Sequence, residues 1–126
     1  MELPQSLSSR YEKAVHVDTG GMGVVFSAFD TKLKRQVVLK IVKADFLKNR
    51  VVRKRFQREA AALATLSHPN VVKLYKIEEL DKQICLVMEE VTGQTLTKVI
   101  SAGKAEIRAT VEIVKQLARA LNAIHE

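Results

Sequence analysis

Three glycines in four positions, Gly20, Gly21 and Gly23, stand between two runs rich in β-branched and aromatic residues, YEKAVHV (11–17) and VVFSAF (24–29). No other stretch constrains the fold as much, because a tight turn between two strand-like runs predicts a β-hairpin. Glycines at this density let backbone amides approach an anion closely and tolerate positive φ. Anion loops of the Walker or dinucleotide kind need a helix directly after them, with its N-terminus aimed at the phosphates. A strand follows here instead. Both kinds are excluded, and VDTGGMGVVF (17–26) reads either as a plain turn or as a flexible hairpin folded over phosphates.

Further along, DTKLKR (30–35) is polar turn material and QVVLKIV (36–42) a third strand. A helical pattern runs from about 51 to 66 and stops at SHPN, whose proline marks the break. VVKLYKIEE (71–79) and QICLVME (83–89) are two more strands around a turn at Asp81 and Lys82. Thr92 and Gly93 interrupt the pattern, a short helix covers 95–101, and a last helix runs from about 106 to 126. The order β-β-β-α-β-β-α-α describes an α+β chain of single-domain size. Residues 1–10 read as a polar leader.

Hydrophobic residues at 47% and charged residues at 28% exclude a disordered or collagenous chain. No apolar run reaches the ~20 residues of a membrane span, and MELPQSLSSR lacks the pattern of a signal peptide. The single cysteine, Cys85, excludes an internal disulfide and accords with the cytoplasm. Its setting, ICLVM, predicts a buried and inert thiol. Much of the net charge of +7 comes from KNRVVRKRFQR (48–58). That run lacks interleaved aromatics, so the solvated face of a helix is the expectation and nucleic acid is not an expected partner.

Lys40 sits inside VVLKIV, and period two puts Val38, Lys40 and Val42 on one strand face. An edge lysine turned to solvent is one reading; the other is a half-buried ammonium that needs an anion. In the helix, Val52, Phe56, Glu59, Leu63 and Leu66 follow core spacings, with Glu59 in the middle. A carboxylate at a core position is costly unless paired, and Lys40 is the evident partner. The competing reading puts Glu59 at the edge of the stripe, in water.

These residues together resemble the N-terminal lobe of protein kinases, and the Gly-Gly-Met-Gly form resembles bacterial-type (Hanks-type) serine/threonine kinases. The similarity covers 11–126: DTGGMGVVF as the glycine-rich loop, VVLK as the lysine strand, and REAAALATLSHPNVVKLY as the αC region and the next strand. ICLVMEEVTGQTL resembles the strand entering the hinge, and QLARALNAIHE the helix before the catalytic loop. The resemblance implies a five-stranded antiparallel sheet with an αC helix (11–91), then the hinge exit and the first helices of an incomplete C-lobe (92–126). It also implies ATP and a protein substrate as partners, and admits pairing of N-lobes.

Residue by residue, the resemblance assigns Lys40 to the α- and β-phosphates and Glu59 as its partner. The nucleotide-covering loop comprises Asp18, Gly20, Gly21, Met22 and Gly23. Val25 and Val38 pack on adenine, with Val38 where the family usually has alanine. Met88 matches the gatekeeper, Glu89 and Val91 the hinge backbone, and Thr95 the ribose position. Asp18 replaces the first loop glycine, and its carboxylate is expected to lower ATP affinity if it faces the phosphates. The family's catalytic base and magnesium ligands lie beyond residue 126, so no residue here is assigned to a metal. The stretch alone is expected to be inactive; a naturally short, non-catalytic kinase-like module is the alternative. Ile107, Val111, Val114, Ala118 and Leu121 form one apolar face of the last helix, widened by Ile113, Leu117, Ala120 and Ile124. In the family, that face is covered by the C-terminal lobe.

Overall fold

The computed structural model describes residues 2–21, 23–80, 82–103 and 106–125. The chain divides into two compact units, Met1–Thr65 with Lys73–Glu90, and Leu66–Val72 with Val91–Glu126.

In the first unit a short helix α1 (Gln5–Ser8) precedes strands β1 (Tyr11–Thr19), β2 (Gly23–Asp30) and β3 (Arg35–Val42). A 3-10 turn (Ala44–Leu47), helix α2 (Arg50–Thr65) and strands β4 (Leu74–Glu79) and β5 (Ile84–Glu89) follow. The five strands form one sheet in the order β1-β2-β3-β5-β4, and every neighbouring pair is antiparallel. The expected five-stranded antiparallel sheet with its helix is therefore present.

Alternation along the strands builds two faces. Val24, Phe26 and Ala28 of β2, Val37, Leu39 and Ile41 of β3, and Cys85 and Val87 of β5 make the larger buried cluster. Cys85 is fully buried, as its apolar setting predicts, and burial pushes its thiol up to about 12. At neutral pH it is not a thiolate nucleophile. On the opposite face, Val42 and Ile84 join Leu47, with Phe56 of α2 and Ile77 and Leu86 packed against them.

The residues read as a leader are tied into this unit. Leu7, only 1% exposed, fills the larger cluster. Arg10 then reaches the turn between β2 and β3, where Asp30 is buried at 1% exposure. Its Nε and Nη2 donate to Asp30 Oδ1 and Oδ2 at 3.1 and 3.0 Å. Asp30 Oδ1 also accepts the backbone N–H groups of Lys32 and Leu33, the local bonding that favours aspartate in turns. These bonds, led by those from Arg10, hold the Asp30 carboxyl below its ordinary value.

Asn49 starts α2, its side-chain oxygen accepting the N–H of Val51 at 2.9 Å. The basic run lies largely along the solvated surface of this helix, with Arg50, Lys54, Arg55 and Arg58 exposed.

In the second unit, residues 66–72 form a turn rather than the start of a strand. His68 Nδ1 accepts the N–H of Asn70, and the His68 carbonyl accepts the N–H of Val71. Val71 and Val72 therefore precede β4 instead of opening it. Helices α3 (Leu96–Ser101) and α4 (Ile107–His125) complete the unit. Along α4, Ile107, Val111, Val114, Leu117, Leu121 and Ile124 are exposed, Ile107 at 84%. No helix among the described residues is long and apolar enough to cross a membrane.

Candidate functional site

The site is built on the sheet face shared with α2. Register places Val25 of β2 opposite Lys40 of β3, and Lys40 opposite Leu86 of β5. The adjacent row runs from Ser27 through Val38 to Met88. One patch thus brings together Val25, Val38, Lys40 and Met88, each half-buried. Lys40 stands between half-buried Val38 and buried Val42, as period two predicts.

The hairpin over this patch depends on Gly23. A β-carbon there would lie 2.0 Å from the Ile41 carbonyl oxygen, so only glycine lets β2 approach β3. The turn is closed by Gly20 N donating to Gly23 O at 2.9 Å. Gly20 and Gly21 have nothing within 4 Å of a built β-carbon, and neither adopts a positive φ. Gly23 thus serves strand pairing, a close approach of β2 to the β3 backbone that the sequence reading did not single out. Met22 lies outside the described residues.

Asp18 is exposed, and its Oδ1 accepts the N–H of Thr19 at 2.8 Å. Its carboxylate is turned onto its own strand. His16 Nε2 and Thr19 Oγ1 lie 2.6 Å apart, and the His16 ring meets Phe26 edge-on.

The structure corrects the helix stripe. The buried line of α2 passes through Ala60, with Val52, Phe56 and Ala64 half-buried, while Glu59 is exposed and Leu63 is 40% exposed. Glu59 is therefore on the flank of the stripe, where a carboxylate keeps its water. Among the described residues no ion pair joins it to Lys40.

At the end of β5, Glu89 donates its N–H to the Lys73 carbonyl at 2.8 Å, and its Oε2 accepts the Lys73 N–H at 3.1 Å. The next residue, Glu90, accepts a 3.0 Å hydrogen bond at Oε1 from Ser27 Oγ. Neither Ser27 nor Glu90 was marked by the sequence, since nothing local links residues 63 apart. Val91 and Thr95 belong to the second unit. Val91 is exposed, and Thr95 caps α3, its Oγ1 accepting the N–H of Lys98 at 3.2 Å. Among the described residues no group of three His, Cys, Asp or Glu could hold a metal ion.

A half-buried ammonium on an apolar face, next to a glycine hairpin, is suited to holding a polyanion with an apolar end. The family described as "Protein kinase domain" matches residues 11–126. The serine/threonine-protein kinase PrkC of Bacillus subtilis is 34% identical over 127 residues, covering 100% of this chain and 20% of its own length. PknB of Mycolicibacterium smegmatis, also a serine/threonine-protein kinase, is 36% identical over 131 residues, covering 100% of this chain and 21% of its own. The chain thus spans about a fifth of the length of these curated relatives. The crystal structure of the Mycobacterium tuberculosis PknI kinase domain superposes with a TM-score of 0.83 at 24% identity, over 93% of this chain and 48% of that one.

Proposed function

Since the chain belongs to the protein kinase family, we infer that it is the ATP-binding part of a serine/threonine protein kinase. The observation that carries this reading is Lys40, a half-buried cation with no carboxylate paired to it among the described residues. Phosphate oxygens of ATP satisfy it, and the open space around Gly20 and Gly21 leaves room for them. Val25, Val38 and Met88 supply the apolar surface for adenine.

Two bonds sharpen the roles of the other residues. The Glu89 N–H is taken by the Lys73 carbonyl, which leaves the Glu89 carbonyl for the adenine edge, to which the family pattern also assigns the Val91 backbone. The Thr95 oxygen already accepts from Lys98, which leaves its O–H to donate to a ribose hydroxyl. Glu59 reaches Lys40 only if α2 turns its exposed flank toward β3. We assign that paired state to a complete kinase domain. In a complete kinase, bound ATP would give its γ-phosphoryl group to a serine or threonine hydroxyl, leaving ADP and releasing the hydroxyl proton, and Mg²⁺ would neutralise the phosphate charge. The metal's ligands in the family pattern lie past residue 126, so this stretch by itself transfers no phosphoryl group. We place the chain in the cytoplasm, with its thiol reduced.

Titration with a fluorescent ADP analogue tests the site. Saturable binding is expected, and Lys40→Met should weaken it roughly 10- to 100-fold, the worth of a charge-assisted bond. Equal binding by the two proteins would remove Lys40 from the site and favour the second reading, a non-catalytic kinase-like module. Transfer of phosphate to a generic protein substrate, abolished by Lys40→Met, would overturn the expected inactivity. Asp18→Gly should change the affinity by less than about fivefold, because an exposed carboxylate turned from the ligand is well screened. A larger gain would mean that Asp18 faces the phosphates.

A further inference from the structure

We propose that Ser27 and Glu90 form a strut that positions the adenine-binding end of β5 against the lid strand β2. The inference rests on the ATP-binding reading above. Consecutive residues of an extended segment direct their side chains to opposite sides, and Glu89 and Glu90 are anchored in two different places. Glu89 is held by two bonds to the Lys73 backbone, one from its own N–H and one to its carboxylate, just ahead of β4. Glu90 is held by the Ser27 hydroxyl of β2, two strands away across β3. The segment leaving Met88 is thereby fixed from both sides.

The chemistry of Glu90 argues for a positional role. Its carboxylate is half-buried, yet among the described residues no cation pairs with it. A hydrogen bond to a charged acceptor is stronger and more directional than a neutral one. Ser27 lies in the row Ser27–Val38–Met88, beside the row that holds Lys40. The same strand begins at Gly23, the inner end of the glycine hairpin. Through this one bond, the strand carrying the lid and the carbonyl offered to the purine move together. Ser27 and Glu90 are positioning residues: they hold the surfaces that touch nucleotide and do not act on it.

Stopped-flow release of a fluorescent ADP analogue from the full 126-residue chain tests the strut. Ser27→Ala and Glu90→Ala should each release it about three- to tenfold faster. The double variant should be no faster than either single, because all three lack the same bond. Ser27→Thr keeps the hydroxyl and should restore the parent rate, a recovery that strand packing alone does not predict. Single-variant rates within about twofold of the parent, or additive effects in the double variant, overturn the strut. Amide exchange over residues 87–90 without nucleotide is the independent measurement: faster exchange in Ser27→Ala is expected, and unchanged exchange overturns the strut. A parent chain that binds no ADP overturns the ATP-binding reading instead, and the exchange result then decides the strut alone.

Discussion

Arg10→Ala should destabilise the first unit by about 3 kcal/mol or more, because it leaves the buried Asp30 carboxylate without its cation. Asp30 is 1% exposed and takes two side-chain bonds from Arg10, so its charge has little water to fall back on. In a thermal melt the loss corresponds to a midpoint lower by roughly 10–20 °C. Adding Asp30→Asn to Arg10→Ala should recover part of this, since the uncompensated charge is gone while a carbonyl oxygen still accepts from Lys32 and Leu33. A loss below about 1 kcal/mol, the value of an exposed pair, would show that the pair is solvated. The sign with pH follows from the depressed Asp30 pKa. Its stabilising contribution is complete above the ordinary value of 3.8 and fades as the pH falls below it. The Arg10→Ala protein should therefore lose less on acidification than the parent.

Gly23→Ala is the second large effect. The added carbon would meet the Ile41 carbonyl oxygen at 2.0 Å and the Ile41 carbonyl carbon at 2.9 Å, and both are backbone atoms that no rotamer change can move aside. The β2–β3 pair must part, with a loss of about 3 kcal/mol, the upper end of ordinary overpacking. Nucleotide binding should fall with it, because Val25 and Lys40 face each other two residues into the same ladder. Gly20→Ala and Gly21→Ala meet only open space and should leave the stability within about 0.5 kcal/mol of the parent. Equal effects at all three glycines would mean that the loop needs general flexibility rather than space at one point.

The strand pattern was legible because glycine punctuation and period two are local. They placed the hairpin, the three strands around Lys40, and the apolar flanks of Lys40 itself. Glu59 shows where locality fails. Spacings of three and four are both helical, so the sequence admits a stripe through Glu59 as readily as one through Ala60. Alanine carries little hydropathy signal, yet Ala60 is the residue of α2 that is buried while Glu59 is exposed. Val71 and Val72 misled for a related reason: β-branched residues read as strand, yet the backbone groups of 68–71 close a turn. The bonds Arg10–Asp30 and Ser27–Glu90 join residues 20 and 63 apart and leave no periodic trace.

Burial of Leu7 has a practical consequence for excising such a lobe from a longer polypeptide. The family pattern begins at residue 11, and a boundary drawn there would discard Leu7 and Arg10 together. The first fills the larger apolar cluster, and the second neutralises the carboxylate at the β2–β3 corner. A cut made at the edge of recognisable homology would thus remove a buried member of the core. Tags and fusion junctions are better placed ahead of Leu3, the first of the described residues to pack on that cluster.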